Sequence, residues 1–345
     1  MPTSDRYQFS SDNTAAICPE AWAALTLANE SAEVSYGDDR WSKKLGAQVR
    51  EIFECDCQTF VVFNGTAANS LALAQLCQPF HSVLCHERAH IETDECGAPE
   101  FFAGGAKLLP IRGRNGKIDL AAAGAVLAQH RDVHSTKVRA LSLTQATEMG
   151  TVYSIAELEA AAALAAEHAL VVHMDGARFA NAVASLGCAP KEITWQQGVD
   201  VLSFGGTKNG LAAGELVVFF DRALARDFEY RVKQGGQLAS KTRFLAAPWT
   251  GLLANDVWLK NARQANEMAR LLEEKLRGAG CTLVFPREAN ALFLPLPNDT
   301  VEKMQALGWH FYKFLEPDVY RLMCSWSTTP SDVDAFAADF TAASA

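Results

Sequence analysis

The chain has 345 residues, of which 49% are hydrophobic and 21% are charged, and its formal net charge at pH 7 is −9. This composition is typical of a globular protein that buries a substantial core, and it argues against fibrous and disordered classes. Lysine and arginine do not cluster anywhere in the sequence, so the basic surface that nucleic-acid binding requires is not expected.

Short apolar runs alternate with helical stretches between residues 58 and 220. The runs of strand length lie at 58–63, 82–85, 107–111, 140–144, 170–174, 199–204 and 215–220. Several are almost continuously apolar, which is typical of strands buried on both faces of a sheet. Strong helix formers lie between them, at 67–76, 120–129 and 155–166. The alternation predicts an α/β domain built on a mainly parallel, seven-stranded sheet.

The pattern changes near residue 250. A long amphipathic helix is predicted from 255 to 277, where glycines follow, and a closing helix is predicted to begin near Pro330. Short strands are predicted between these helices, at 282–285, 291–295, 310–315 and 319–326. The sequence therefore predicts a large domain over residues 1–250, which includes the N-terminal segment, and a smaller α+β domain over residues 251–345.

The cysteines and the N-terminus indicate the cellular compartment. The nine cysteines are odd in number and include no Cys-x-x-Cys pair, which favours reduced thiols over a disulfide framework. The N-terminus has no basic start followed by an apolar core, and no apolar run reaches the roughly 18 residues of a membrane span. We therefore expect a cytoplasmic protein that contacts no membrane.

Polar residues at two strand ends carry the strongest chemical signal. Asp175 follows the strand in V-V-H-M-D-G-A-R (171–178), and Lys208 follows the next strand in V-L-S-F-G-G-T-K-N-G (201–210). Taken singly, the aspartate could cap a loop and the lysine could be solvated. Together, at the edge where open α/β sheets bind ligands, they suit pyridoxal phosphate: the lysine binds its aldehyde as a Schiff base, and the carboxylate keeps the pyridine nitrogen protonated.

A third segment fits the same cofactor. N-G-T-A-A-N (64–69) lies between a predicted strand and a predicted helix. The backbone N–H groups of Gly65, Thr66 and Ala67 could therefore hold a phosphate at the positive end of the helix dipole. Gly-Thr at a strand-to-helix turn is common, so this segment supports the prediction only together with Asp175 and Lys208.

Seven motifs occur in order over nearly the whole chain: S-S-D-N-T (10–14), Y-G-D-D (36–39), N-G-T-A-A-N (64–69), R-A-H-I-E-T-D-E-C-G (88–97), H-M-D-G-A-R (173–178), G-G-T-K (205–208) and V-Y-R-L-M (319–323). No single motif suffices, but in this order and spacing they resemble the low-specificity L-threonine aldolases of the fold type I pyridoxal-phosphate superfamily. The resemblance implies an aspartate-aminotransferase-like fold, with a large cofactor-binding domain and a smaller C-terminal domain.

The resemblance assigns cofactor-binding roles to four residues. It implies that Lys208 binds the cofactor covalently and that Asp175 is the partner of the pyridine nitrogen. It implies that His90 stacks on the cofactor ring and assists the substrate hydroxyl. Arg178, three residues after Asp175, matches the arginine near the cofactor oxygen and the substrate carboxylate.

The substrate site is implied in the same way. Ser11 and Arg321 match the residues that bind the substrate carboxylate, a task suited to a planar guanidinium. At one position the chain departs from the pattern, because Glu148 stands where some threonine aldolases have a histidine. The base that accepts the β-hydroxyl proton is therefore left open.

Four candidates for this base follow from the sequence. They are His90, Asp94 one helical turn further on, His134 in a loop, and a bound water. For His134, an exposed histidine without a catalytic role is the favoured interpretation. Lys208, His90 and Asp94 are accordingly the predicted catalytic residues.

The resemblance also implies the reaction and the assembly. It implies cleavage of L-threonine, L-allo-threonine and related β-hydroxy-α-amino acids to glycine and an aldehyde. β-Elimination, desulfuration and transamination stay open as alternatives, since all begin from the same Schiff base. The small-molecule substrate is the expected partner. The resemblance also implies a homotetramer, a dimer of dimers with shared active sites, in which Tyr36, Lys241 and Arg243 are candidates to reach across.

A competing motif must be weighed. His86, Glu87 and His90 match H-E-x-x-H, the pattern in which two histidines on one helix bind zinc and the glutamate activates water. That motif requires a sizeable helix, whereas here it follows a predicted strand directly and Gly97 comes soon after. A zinc metallopeptidase would also leave Asp175 and Lys208 unexplained, so no metal is expected.

Overall fold

The computed structural model of the chain describes residues 8–344. The strands are β1 Gln58–Val62, β2 His81–His86, β3 Lys107–Ile111, β4 Lys137–Thr144, β5 Val171–Gly176, β6 Val201–Phe204, β7 Glu215–Phe219, β8 Ala291–Pro295, β9 Tyr312–Leu315 and β10 Val319–Met323. The helices are α1 Pro19–Ala28, α2 Arg40–Phe53, α3 Gly65–Leu76, α4 His90–Thr93, α5 Ala98–Phe102, α6 Leu120–Gln129, α7 Ile155–Glu167, α8 Phe179–Leu186, α9 Phe228–Gln234, α10 Arg243–Leu253, α11 Val257–Gly278, α12 Asn298–Ala306 and α13 Pro330–Ser344. Short 3-10 turns lie at Asp12–Thr14, Pro190–Ile193, Trp195–Gln197, Thr207–Asn209 and Ala254–Asp256.

The large sheet has seven strands in the order β1-β7-β6-β5-β4-β2-β3. β7 runs antiparallel to both of its neighbours, and every other adjacent pair is parallel. Alternate side chains enter different cores: Leu202 lies in one cluster and Val201 in another. Both faces are therefore covered, which explains the apolar runs. The prediction of an α/β fold with a mainly parallel seven-stranded sheet is confirmed.

The pairing of β5 with β6 brings the predicted cofactor residues to one edge. The two strands are parallel, with Asp175 opposite Ser203, so their carboxyl ends meet. From the middle of β5, the buried ring of His173 contacts Ser142 on β4 through Nδ1 (2.9 Å) and Ser203 on β6 through Nε2 (3.2 Å). Burial lowers the pKa of His173 to about 4, so the neutral ring can donate to one hydroxyl and accept from the other.

The small sheet has the order β8-β10-β9 and is antiparallel. The prediction of a strand at 282–285 is wrong. Val284 donates one backbone hydrogen bond to Phe293 (2.8 Å), but the segment is not a strand. Pro286 follows closely and has no N–H to continue a ladder. The α10 and α12 helices were not predicted, and α10 contains Pro248.

The N-terminal segment packs with the C-terminal part of the chain. The ring of Phe9 lies 5.0 Å from that of Phe336 and 5.9 Å from that of Trp309, and its carbonyl accepts from the Met323 N–H (2.9 Å). Helix α11 in turn packs against α8, where Asn181 and Asn266 exchange hydrogen bonds. The boundary at residue 250 stays a prediction.

Among the residues described, no helix has both the length and the apolar character needed to cross a membrane.

The buried aromatic cluster around Phe336, called the small core below, can be tested by mutation. Phe336 is fully buried, so we expect Phe336→Ala to lower the free energy of unfolding by about 3–5 kcal/mol. Phe101→Ala is the matched control, because Phe101 is 78% exposed and exposed substitutions cost within about 0.5 kcal/mol. Urea denaturation of both variants measures the difference. Equal losses would contradict the assignment of Phe336 to a stabilising core.

Candidate active site

A cavity of about 210 Å³ opens at the carboxyl edge of the large sheet. Its lining includes Lys208, Asp175, His90, Gly65, Thr66 and Glu215. Apart from Glu215, these are residues that the sequence placed at the ends of four different strands, and the structure brings them together. This is the edge at which open α/β sheets bind ligands.

The Lys208 loop is held tightly behind β6. A Cβ on Gly205 would lie 2.5 Å from the Ala177 carbonyl oxygen, and one on Gly206 would lie 2.4 Å from the Trp249 ring. The Gly206 N–H donates to the buried carboxylate of Glu215 on β7. Burial raises the pKa of Glu215, and hydrogen bonds within the loop oppose that rise. Two glycines and a buried carboxylate thus fix the backbone that presents Lys208.

Asp175 is oriented from both sides. One carboxylate oxygen accepts from the Ala177 N–H (3.0 Å) and the other accepts from the Asn69 side-chain amide (3.0 Å). The residue is 3% exposed, so its carboxylate has a fixed place at the end of β5. Asn69 reaches it from α3, the helix that begins at the phosphate-binding segment predicted from the sequence.

The N-terminus of α3 borders the same cavity. Asn64 caps the helix by accepting from the Ala67 N–H (2.9 Å). Of the three predicted phosphate donors, Gly65 and Thr66 line this cavity, whereas the Ala67 N–H is taken by the cap. The first N–H groups of a helix have no acceptor within it, and this end of the helix dipole favours an anion.

These groups fit the predicted cofactor. One cavity offers an amine at Lys208, a fixed carboxylate at Asp175 and a helix N-terminus at Gly65 and Thr66. An amine reacts with an aldehyde, a carboxylate accepts from a protonated ring nitrogen, and the N–H groups of a helix N-terminus donate to a phosphate. The chemistry of pyridoxal phosphate therefore matches the residues present.

The candidate bases are separated by the structure. His90 begins α4 and borders the cavity, with its Nδ1 2.8 Å from the buried carboxylate of Glu95. Asp94 is exposed at the end of α4. His134 is exposed in the loop before β4, which lies at the opposite edge of the sheet from Asp175. His90 is the only one of these three that lines the cavity.

Arg178 is held by a carboxylate that the sequence interpretation did not single out. Its Nε and Nη2 donate to the two oxygens of Asp12, at 2.7 and 3.0 Å. Asn290 adds a third hydrogen bond to Asp12 (3.1 Å), and both charged side chains are almost fully buried. Burial alone would raise the pKa of Asp12, but the charges of Arg178 and Lys208 outweigh it and lower that pKa.

Arg321 lies on β10 close to this pair. Its guanidinium donates to the Ser10 carbonyl (3.2 Å), contacts the Tyr312 hydroxyl, and lies 4.6 Å from the centre of the Tyr312 ring. Burial and the positive charge of Arg178 lower its pKa to about 10. Its buried Nε has no hydrogen-bond partner among the residues described. An anionic ligand could supply one.

Glu148 and Ser11 complete the predicted substrate residues. The charge of Glu148 acts on Arg178, Arg321 and His90, so this glutamate lies in the same cluster. Its buried Oε1 has no hydrogen-bond partner within the described chain. The Ser11 hydroxyl instead caps the turn at Asp12–Thr14 by accepting from the Asn13 N–H (3.2 Å).

Four buried polar residues of the site were missed by sequence reasoning: Asp12, Asn69, Glu95 and Glu215. The first three lie inside motifs that the sequence did single out. Because they lie in these motifs, they could have been chosen as candidates. The motifs do not show their partners, however, which are distant in sequence. Glu215 had no signal beyond its position at the start of an apolar strand.

The zinc alternative is not favoured. His86 ends β2, where its Nδ1 accepts from the Arg88 N–H (3.0 Å) and its Nε2 lies 3.3 Å from the Gly113 carbonyl. His90 begins a helix of only four residues, so the two histidines do not share a helix as the motif requires. Across residues 8–344, no cluster of three or more potential metal ligands occurs.

Comparisons with known proteins find relatives over nearly the whole chain. The sequence model of the beta-eliminating lyase family matches residues 8–298. A low-specificity L-threonine aldolase of Pseudomonas aeruginosa is 54% identical over 338 residues, with 98% of each chain covered. Another, from a Pseudomonas species, is 52% identical over 341 residues, with 99% of each covered.

Solved structures share the fold. A threonine aldolase structure from Leishmania major superposes with a TM-score of 0.93 at 26% identity, covering 98% of this chain and 100% of that one. A structure of SPT with PLP superposes with a TM-score of 0.73 over 98% of this chain and 87% of that one. At 17% identity, the second comparison shows the fold alone.

The buried pair of Asp12 and Arg178 can be tested by its effect on stability. Asp12→Asn leaves Arg178 buried without its counter-charge, so we expect the free energy of unfolding at pH 7 to fall by about 3–5 kcal/mol. Asp56→Asn is the control, because the Asp56–Arg222 pair has the same 2.7 Å separation but is mostly exposed. Exposed pairs contribute about 0–1 kcal/mol.

The pH dependence gives the same test a second readout. The pKa of Asp12 is lowered in the folded protein, so its contribution is present above the ordinary aspartate pKa of about 3.9. It is lost as the pH falls through the lowered value. Denaturation of the wild type and of Asp12→Asn across this pH range should give free energies of unfolding that converge at low pH. Equal small effects of Asp12→Asn and Asp56→Asn at pH 7 would contradict a stabilising role for the buried pair.

Proposed function

Because this chain belongs to the beta-eliminating lyase family, we propose that it is a pyridoxal-phosphate-dependent L-threonine aldolase. It cleaves L-threonine, L-allo-threonine and related β-hydroxy-α-amino acids to glycine and an aldehyde. The observation that carries the proposal is the convergence of Lys208, Asp175 and the N-terminus of α3 on one cavity. Relatives more than 50% identical over almost the full chain carry the same activity in their names.

Pyridoxal phosphate, held by Lys208 until the substrate amine replaces the lysine, would supply an electron-withdrawing ring that weakens one bond of the amino acid. Asp175 is suited to balance the charge on the ring nitrogen, because its carboxylate is fixed by Asn69 and by the Ala177 N–H. Gly65 and Thr66 are suited to bind the phosphate. These residues would hold the ring in one orientation.

The positive cluster beside the cavity is suited to the substrate carboxylate. Arg321 has a buried Nε without a partner, and Arg178 lies close enough to depress the pKa of Arg321. A carboxylate there would satisfy the unpaired donor, with Ser11 on the adjacent turn. Holding the carboxylate orients the Cα–Cβ bond, and this orientation selects the bond that breaks.

His90 is the residue best placed to accept the β-hydroxyl proton. It borders the cavity, and its Nδ1 is already engaged by Glu95, which leaves Nε2 for the substrate. When the hydroxyl proton moves to His90, the hydroxyl oxygen forms the carbonyl of the aldehyde as the Cα–Cβ bond breaks. Cα then gains a proton, and glycine is released. The other pyridoxal-phosphate reactions and the zinc reaction are not favoured, because the relatives more than 50% identical are named L-threonine aldolases.

We also infer a cytoplasmic homotetramer, arranged as a dimer of dimers, that forms glycine in amino-acid metabolism. Tyr36, Lys241 and Arg243 are proposed to reach the active site of a neighbouring subunit. Tyr36 is 52% exposed and its N–H donates to the Ser240 carbonyl, next to Lys241. Arg243 donates to the carbonyl of Ala28 at the end of α1, so the three residues share one surface region. A large exposed aromatic ring beside basic residues is typical of a protein interface.

Lys208 provides the first test. The protein purified with pyridoxal phosphate should absorb visible light, cleave L-threonine to glycine and acetaldehyde, and retain the cofactor on Lys208 after borohydride reduction and peptide mapping. Lys208→Ala should abolish the covalent adduct and the activity. Lys107→Ala, at an exposed residue of β3, should change neither. Ammonia and a keto acid as products would indicate elimination instead of aldol cleavage.

Asp175 provides the second test. Asp175→Asn removes the charge opposite the ring nitrogen with little change in shape, so we expect turnover to fall on the order of 10²-fold or more. Steady-state kinetics with L-threonine, at saturating cofactor, measures this effect. Asp318→Asn, at an exposed residue of the small domain, is the control and should keep normal turnover. A fully active Asp175→Asn enzyme would overturn the role assigned to Asp175.

A further inference from the structure

A chain of hydrogen bonds links the two sides of the cavity. Glu95 Oε1 lies 2.8 Å from His90 Nδ1 and accepts from Asn69 Nδ2, also at 2.8 Å. The same Asn69 amide donates to Asp175 Oδ2 at 3.0 Å. His90 and Asp175 line the cavity, while Glu95 and Asn69 lie behind them and are almost fully buried. The chain therefore joins α4, α3 and β5, and its two middle members, Glu95 and Asn69, do not line the cavity.

The chemistry of these groups fixes where the hydrogens lie. Only the NH₂ group of Asn69 can donate to two carboxylates, because its oxygen would repel both. A carboxylate beside His90 Nδ1 likewise requires that this nitrogen carry a hydrogen. Nε2, on the other side of the imidazole from Glu95, is then the nitrogen available as a base. The arrangement thus specifies the tautomer as well as the orientation of His90.

We infer that Glu95 is a positioning residue for proton transfer by His90, and that Asn69 joins the His90–Glu95 pair to Asp175. The inference rests on the proposed function, in which His90 takes the β-hydroxyl proton. Without Glu95 the imidazole could rotate or change tautomer, and the basic nitrogen of His90 would then no longer face the substrate. Asn69 also separates two buried carboxylates by giving one hydrogen to each, which reduces their mutual repulsion.

The charges around His90 support this assignment. The hydrogen bond that His90 donates to Glu95 raises the pKa of His90, burial lowers it, and the negative charges of Asp175 on β5 and Glu148 in the loop after β4 raise it further. The amine of Lys208 lines the same cavity. Burial raises the pKa of Glu95, and its hydrogen bonds to His90 and Asn69 oppose that rise. A base with a raised pKa accepts a proton more readily.

The sign of the pH effect follows directly. His90 must be unprotonated to act as a base, so the acidic limb of kcat/KM reports its pKa. Glu95→Gln removes the hydrogen-bonded charge, and we expect the pKa of His90 to fall by about one unit. The acidic limb should move to lower pH by the same amount. Because the base is also weaker and free to reorient, kcat should fall roughly tenfold or more, while KM should change little.

The experiment is NMR of the full-length holoenzyme labelled at the histidine Cε1 and ring nitrogens. The chain has eight histidines, and the resonance of His90 is identified by its loss in His90→Asn. Titrations then compare the wild type with Glu95→Gln and with the control Glu92→Gln, which changes an exposed glutamate of the same short helix. A downward pKa shift of His90 in Glu95→Gln alone supports the inference. If the pKa of His90 is the same in Glu95→Gln as in Glu92→Gln, the inference is overturned.

A second readout needs no variant. In the wild-type protein at high pH, the ring nitrogen shifts should report the Nδ1–H tautomer of His90; the Nε2–H tautomer would overturn the inference even if Glu95→Gln did not fold. The proposed function is judged separately by the products formed from L-threonine. Failure to form glycine and acetaldehyde would overturn the reaction, whereas normal cleavage with the Nε2–H tautomer would overturn only the role of Glu95.

Discussion

Parallel pairing of β5 with β6 is the constraint on which the candidate active site depends. It places Asp175 opposite Ser203, and the loop with Lys208 continues from the same edge. The buried ring of His173 bonds to Ser142 and Ser203, so it ties β4, β5 and β6 together below the site. A shift of one residue in this register would turn Asp175 to the other face of the sheet. The distance between carboxylate and lysine is thus set by the core of the sheet.

The ion pair between Asp12 and Arg178 extends this constraint to the C-terminal part of the chain. Asp12 belongs to the N-terminal segment, Arg178 immediately precedes α8, and Asn290 precedes β8 of the small sheet. Phe9, close to Asp12, packs among the aromatic rings of the small core. The residues proposed to bind the substrate therefore lie where three parts of the chain meet. Their geometry depends on how these parts pack.

The sequence predicted the large sheet well because its strands are buried on both faces and read as continuous apolar runs. It predicted the small sheet less well, since residues 282–285 have the composition of a strand but are followed by Pro286. Helix α10 contains Pro248, and a proline inside a helix usually ends or kinks it because it has no N–H to donate. Buried packing, which no local pattern reveals, accommodates it.

The buried hydrogen bonds of the site could not be predicted for a different reason. Asn69 and Asp175 are 106 residues apart, and Asp12 and Arg178 are 166 residues apart. Neither pair leaves a periodic or spacing signal in the sequence. The family motifs contained these residues, but a motif does not state which members contact each other. Only the fold shows that Glu95 links His90 to Asn69.

The polar partners of the site also indicate where a substrate binds. Most of its buried carboxylates have a protein partner at one oxygen at least: Asp12 accepts from Arg178, Asp175 accepts from Asn69, and Glu95 Oε1 faces His90. Buried polar atoms without partners are costly, and beside a binding site such atoms are positions that a ligand can satisfy. Among the described atoms without a partner, Arg321 Nε and Glu148 Oε1 belong to residues proposed to bind the substrate, whereas Glu95 Oε2 lies behind the cavity. One is a donor that suits the carboxylate of an amino acid, and the other is an acceptor that suits its hydroxyl or amine. A β-hydroxy-α-amino acid carries both kinds of group, and this match connects the reaction to residues of this chain as well as to its relatives.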